Sequence, residues 1–138
     1  MEVLTAIPPD YPIDLSNQKD VMLAVLEAGR RRSPVNYFTI ILTESKEFEV
    51  LGKKIEFPPG TAVAVSIGTA SLDGKNFPHP DQFKPDRDNL MPCTLNFNSV
   101  GLKPTGSGTR QCPGRNIAMK CCSDLLIAYR KEKGENAA

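Results

Sequence analysis

Apolar residues recur at three- and four-residue intervals over residues 18–30, where Val21, Met22, Val25, Leu26 and Gly29 fall on one side. That period predicts an amphipathic helix. Asp14 or Ser16 is placed to cap its start. Arg30, Arg31 and Arg32 close it, where positive charge suits the C-terminal dipole and water solvates the side chains. Pro34 ends any helix. The pattern then turns extended. Residues 36–43 carry Tyr37, Phe38, Ile40, Ile41 and Leu42, a strand composition. Residues 48–51 and 54–57 flank Gly52-Lys53 and read as a hairpin. Pro58-Pro59-Gly60 is a turn, and residues 61–67 alternate around Val63 and Val65 as another strand. From 68 to 98 Gly74, Pro78, Pro80, Pro85 and Pro92 break any period. A loop of that length is functional or wrapped on something else. A second helix is predicted to start near Pro113, because Pro suits a first helical turn. It runs through Ile117, Met119, Leu125, Leu126 and Ile127 to about Lys131. Residues 1–17 are a Pro-rich, irregular lead-in, and the tail 132–138 is expected to fray. Helix, short strands, long coil and helix make an α+β arrangement, with residues 18–131 as one unit.

Composition narrows the function classes. The chain has 138 residues, enough for one domain or a piece of one. Its 12 prolines favour turns and extended segments over a helical bundle. A net charge of +1 gives no field for capturing nucleic acid or an acidic membrane surface. No run of about 18 apolar residues encodes a transmembrane anchor. Met1-Glu2-Val3-Leu4-Thr5 lacks the regions of a signal peptide, so an intracellular location is expected. The cysteines are Cys93, Cys112, Cys121 and Cys122. Without a secretory signal, and with two of them adjacent, a disulfide scaffold is not expected. Their intervals also lack the close pairs of a structural zinc site. His79, between Pro78 and Pro80, reads as a solvated loop residue.

Unusual chemistry concentrates in residues 106–115. Gly106, Gly108 and Gly114 permit a tight backbone, and Arg110 stands two residues before Cys112. Cys112 in turn stands at the mouth of the second helix. Backbone N–H groups and the positive end of a helix dipole stabilise a thiolate there. Such a thiolate can be a nucleophile or a metal ligand. The sequence supplies no nearby general base, so the ligand reading is preferred.

These residues carry a resemblance. Gly108-x-Arg110-x-Cys112-x-Gly114 resembles the cysteine-ligand loop of the cytochrome P-450 family of haem-thiolate enzymes. Glu27-Ala28-Gly29-Arg30 is similar to the family's Glu-x-x-Arg signature, on the helix packed under the haem. Phe83-Lys84-Pro85-Asp86-Arg87 resembles its Phe-x-Pro-x-Arg segment. The three stand in the family's order, separated by strands and a long coil. The resemblance spans about residues 18–130 and corresponds to the C-terminal portion of the family fold. Full members have several hundred residues, so the chain is expected to be one portion of such a fold and inactive alone. The oxygen-handling helix, most substrate contacts and any membrane anchor of the family lie in the remainder.

The resemblance implies a haem b (iron-protoporphyrin IX) with Cys112 as axial ligand of the iron. Arg110 would reach a haem propionate, and Gly108 and Gly114 would let the backbone pass close to the porphyrin. Glu27, Arg30 and Arg87 would form a structural network, each charge hydrogen-bonded. Cys93, Cys121 and Cys122 are passive thiols. The implied activity is monooxygenation of a small lipophilic substrate, with electrons from a reductase or ferredoxin. Two departures point elsewhere. Thr105 replaces the aromatic residue that shields the sulfur in most members, and Cys121 replaces an acidic residue. Together with residues 95–101 and Gln111, the missing aromatic leans toward the allene oxide synthase and hydroperoxide lyase branch, which takes lipid hydroperoxides. A non-catalytic haem-binding remnant is the third alternative.

Overall fold

The computed structural model describes residues 3–90 and 112–134. A single 3-10 turn, Leu4–Ala6, precedes helix α1, Gln18–Arg31. Strands β1 (Tyr37–Ile41), β2 (Lys46–Val50), β3 (Lys53–Phe57) and β4 (Ala62–Ser66) follow. A short helix α2 (Ile67–Ala70) leads into a string of turns, and the long helix α3 spans Arg115–Glu132.

Helix α1 lies where the apolar period places it, but its cap differs. Asn17 is the cap, its side chain accepting from the Lys19 N–H at 3.0 Å. Asp14 instead closes its own turn, accepting from the Ser16 N–H at 2.9 Å and the Ser16 hydroxyl at 2.6 Å. Its backbone N–H donates to Asp20 in the first turn of α1 at 2.8 Å. Three polar residues compete here, and the one adjacent to the helix wins because its oxygen is within reach of the first free amides.

The core forms between α1, α3 and the lead-in. Ile7, Leu15, Val21, Ala24, Val25, Ala28 and Leu126 are buried together, with Phe83, Met119, Cys122 and Ile127 packed against them. The lead-in is thus part of the core: Ile7 and Leu15 each gain the burial energy of an aliphatic side chain, about 1.5–3 kcal/mol at most.

The strands form two separate antiparallel ribbons. β1 pairs with β4, from Tyr37↔Ser66 to Ile41↔Ala62. β2 pairs with β3, from Lys46↔Phe57 to Val50↔Lys53. The hairpin turn is Leu51-Gly52, not Gly52-Lys53. Both turn residues have positive φ, 52° and 75°, as a two-residue hairpin loop of matching twist requires. Gly52 meets that demand freely, whereas Leu51 does so with its side chain 98% exposed. β1 is also shorter than its composition suggests. Leu42 leaves the ladder and is buried, while its backbone still exchanges hydrogen bonds with Thr61 and Gly60. At the far end Ser66, the last residue of β4, also caps α2, its hydroxyl accepting from the Thr69 N–H at 3.2 Å.

Helix α3 starts two residues after Pro113, with Gly114 as its cap residue. It ends at Glu132, where the Gly134 N–H closes on the Lys131 carbonyl with φ at 84°. Glycine at that position relieves the left-handed backbone that terminates many helices.

Candidate functional site

Glu27 and Arg30 stand one helical turn apart on the buried side of α1, both fully excluded from water. Arg30 reaches Glu27 by two parallel contacts, Nε to Oε2 at 2.7 Å and Nη2 to Oε1 at 2.8 Å. Its remaining N–H groups donate to the carbonyls of Ser71 at 2.8 Å and Pro80 at 2.7 Å. The guanidinium also lies 5.0 Å from the ring centre of buried Phe77. Arg87 comes from the opposite direction. Its Nε donates to Glu27 at 3.3 Å, and its other nitrogens to the carbonyls of Pro78, His79 and Gln82 at 2.6, 2.8 and 3.1 Å. The Lys84 backbone N–H adds a further bond to Glu27 at 3.0 Å.

One carboxylate therefore holds two guanidinium groups, and these hold the carbonyls of residues 71–82. The physical need is plain. This segment contains Pro78 and Pro80, which lack N–H groups, so it cannot close a regular ladder. Arginine, with five donors in a planar fork, satisfies several of its carbonyls at once. The irregular stretch seen in the sequence is wrapped on α1 through these contacts. His79 lies on its exposed side with φ at 52°, and its carbonyl serves Arg87.

Of the other two arginines at the end of α1, Arg32 is exposed as expected of a solvated charge, whereas Arg31 is partly buried. Arg31 donates to the Ala6 carbonyl at 3.0 Å, and Arg32 to the Thr5 hydroxyl at 3.3 Å. Both tie the lead-in to the helix. Arg130 in α3 was not anticipated from sequence. It is 4% exposed and donates to the carbonyls of Pro9 at 2.7 Å and Pro8 at 3.0 Å. Its signal was its place four residues after Leu126, on the inward stripe of the helix.

Cys112 lies at the other end of α3, two residues before the cap residue. Its sulfur is partly exposed and unpaired among the described residues. Its carbonyl accepts from the Arg115 N–H at 3.2 Å, which fixes the approach to the helix. The first turn of α3 has no acidic residue and no side-chain cap. Gly114 has φ −80°, a conformation any residue adopts, so the turn itself does not require glycine. Among the described residues, a Cβ built there would meet the Cys112 sulfur at 3.7 Å, an ordinary van der Waals contact, so Gly114 lies directly beside the sulfur. Arg110, Gly108, Thr105, Gln111 and Cys93 lie outside the described residues, as do residues 95–101. Cys121 is exposed and Cys122 partly buried, both unpaired among the described residues.

A cleft of about 780 Å³ runs between the start of α1 and α3. Leu15, Val21, Met22, Leu26, Met119 and Ile127 line its apolar part. Cys112 does not line it, so the cleft is a groove between helices rather than the seat of the thiol. Among the described residues no helix is long and apolar enough to cross a membrane, and no cluster of acidic, His and Cys side chains could hold a metal ion.

The cytochrome P-450 family model matches residues 23–128. The cytochrome P-450 monooxygenase astA of Talaromyces wortmannii is 35% identical over 123 residues, covering 85% of this chain and 24% of that protein. Geranylhydroquinone 3''-hydroxylase CYP76B74 of Arnebia euchroma is 31% identical over 104 residues, covering 74% of this chain and 20% of that protein. Among solved structures, the CYP116B5 heme domain of Acinetobacter radioresistens superposes with a TM-score of 0.64 at 25% identity, over 84% of this chain and 25% of that one. Cytochrome P-450-153 of Novosphingobium aromaticivorans shares the fold with a TM-score of 0.67 at 21% identity, over 96% of this chain and 31% of that one. The chain thus spans between a fifth and a third of the length of these four proteins. On the strength of the family match and the haem-domain fold, this chain belongs to the cytochrome P-450 family.

Proposed function

We propose that Cys112 supplies the axial thiolate of a haem b, and that the protein built around this chain is a haem-thiolate monooxygenase. The observation that carries the reading is the setting of Cys112. It is a partly exposed residue just ahead of an 18-residue helix with no acid in the first turn, with Gly114 directly beside its sulfur. A cysteine placed just ahead of a helix N-terminus is suited to the role of a thiolate ligand. These residues fit a thiolate-held haem. A haem with such a ligand supplies O–O bond cleavage, which the electron-donating sulfur favours.

The remaining roles belong to the chain's own groups. Arg110 pairs with a propionate, where a charge-assisted hydrogen bond is strong. Gly108 and Gly114 admit the flat ring close to the backbone. Glu27, Arg30 and Arg87 position rather than catalyse: they hold residues 71–87 against α1, the helix that packs on α3. The substrate is small and lipophilic, and electrons come from a separate reductase or ferredoxin. Turnover requires the rest of the family fold, so the 138 residues alone bind haem without oxidising substrate. The names of two relatives, a monooxygenase and a hydroxylase, support this reading over hydroperoxide rearrangement. The features that lean toward rearrangement, Thr105, Gln111 and residues 95–101, lie outside the described residues.

The test is spectroscopic. Chain reconstituted with haem, reduced and exposed to carbon monoxide, should give the red-shifted Soret band of a thiolate-ligated ferrous carbonyl. Cys112→Ala should abolish that band, while Cys121→Ala and Cys122→Ala should keep it. A band that survives Cys112→Ala overturns the assignment.

A further inference from the structure

The cleft between the start of α1 and α3 joins an apolar bed to unpaired positive charge. Its floor is buried and apolar, made by Leu15, Val21 and Leu26. Met22, Met119 and Ile127 form its partly buried walls. Methionine side chains are unbranched and polarisable, so two of them give a wall that adapts to a flexible chain. The lining residues run from 18 to 26 along α1 and from 115 to 127 along α3. At about 1.5 Å per residue these stretches are about 12 and 18 Å long, so the cleft is elongated. Its volume of about 780 Å³ lies within the roughly 300–1,000 Å³ of small-molecule sites.

Charge selects the sign of the ligand. Lys19 and Arg115 line the same cleft, and their side chains enter no hydrogen bond or ion pair among the described residues. Asp124, the one carboxylate among the described lining residues, is taken by Lys120 at 2.8 Å. The cleft thus offers two cations without a counterion beside a trough walled by methionine. We propose that it binds a free fatty acid. The chain lies along Met22, Met119 and Ile127, and Arg115 holds the carboxylate, with Lys19 adding attraction of the same sign. A guanidinium meets a carboxylate through a planar fork of donors, and an ammonium adds a point charge. Cys112 does not line the cleft, so this site is separate from haem ligation and goes beyond the monooxygenase reading.

The full chain, without added haem, would be titrated with dodecanoate below its micellar concentration. Calorimetry should show saturable one-to-one binding, and the methyl resonances of isotope-labelled Met22 and Met119 should shift in the same titration. Dodecanol, with the same chain and no charge, should bind at least about tenfold more weakly, and dodecyltrimethylammonium should not bind, because a charge-assisted hydrogen bond is lost or reversed. Arg115→Gln should weaken dodecanoate by a similar factor and leave the far-ultraviolet dichroism unchanged. The proposal is overturned if dodecanoate binding does not saturate, if dodecyltrimethylammonium binds as tightly as dodecanoate, or if both methionine signals stay unmoved. Unweakened binding to a folded Arg115→Gln variant would also overturn it. Should that variant lose its fold, the ligand series on the unaltered chain decides. A missing Soret band with saturable dodecanoate binding would reject the haem reading and leave this one standing.

Discussion

Glu27 and Arg30 meet in a two-point contact, 2.7 and 2.8 Å, with neither side chain open to water. A buried pair of this kind adds little by its own attraction, since both charges lose hydration. Its consequence lies in what happens when one member is removed. Glu27→Gln keeps the shape but leaves Arg30 and Arg87 facing a neutral group, and should destabilise the fold by about 3–5 kcal/mol. Arg30→Lys should not restore it, because an ammonium cannot replace the planar fork that reaches Glu27, Ser71 and Pro80 together. The exposed pair Lys120 and Asp124 is the control: Lys120→Ala should cost no more than about 0.5 kcal/mol. Urea unfolding of the variants separates the two cases. A Glu27→Gln loss as small as the control's would mean that the network is dispensable.

Arg130 should behave as a latch for the lead-in. Arg130→Met keeps the apolar stem and removes the donors to Pro8 and Pro9. The expected cost is about 1.5–3 kcal/mol, the range for hydrogen bonds from a charged group. The local signature is faster proteolysis near residues 8–12, with the Glu27 network unaffected. Uniform loosening of the whole chain would argue against a latch.

The hairpin tip offers a stabilising change. Leu51 holds a φ of 52° with its side chain in water, so it gives up conformational preference without a packing return. Leu51→Asn creates the Asn-Gly pair favoured in such turns. Stability should rise by about 0.4–1 kcal/mol, read from the midpoint of thermal or urea unfolding. A fall would show that Leu51 is held by something other than the turn.

Acid should loosen the turn ahead of α1. Asp14 is held below the usual carboxylate range, chiefly by the Ser16 hydroxyl and then by the Ser16 N–H. A carboxyl with a depressed folded value favours folding above its ordinary pKa, and that contribution fades as pH falls through the depressed value. The protection factor of the Ser16 amide, its exchange relative to the intrinsic rate at the same pH, should therefore fall on acidification, and Asp14→Asn should remove that dependence. An unaltered protection factor across this window would contradict the assigned cause.

Much of the fold was legible because helices and strands write their period locally. α1, the hairpin and α3 follow from spacing, and the bounds shift by one or two residues where turn geometry or a cap decides. The cap is the instructive miss, since Asp14, Ser16 and Asn17 have the same propensity and only the path of the lead-in selects among them. The three family signatures were legible as residue types at fixed spacing. The resemblance they carry implied that Glu27, Arg30 and Arg87 are partners, although no local rule brings residue 87 to residue 27.

The sequence by itself determined which segments are helical or extended, which family the chain belongs to, and that a cysteine stands at the mouth of the last helix. Each is a matter of neighbours along the chain. Tertiary structure alone decided that Arg31 and Arg130 are spent on the lead-in, that prolines 78–85 are wrapped on α1, and that Ile117, Leu125 and Tyr129 of α3 are exposed among the described residues. Those outcomes depend on which carbonyls and apolar faces meet in space, and burial converts an ordinary surface charge into a fixed contact.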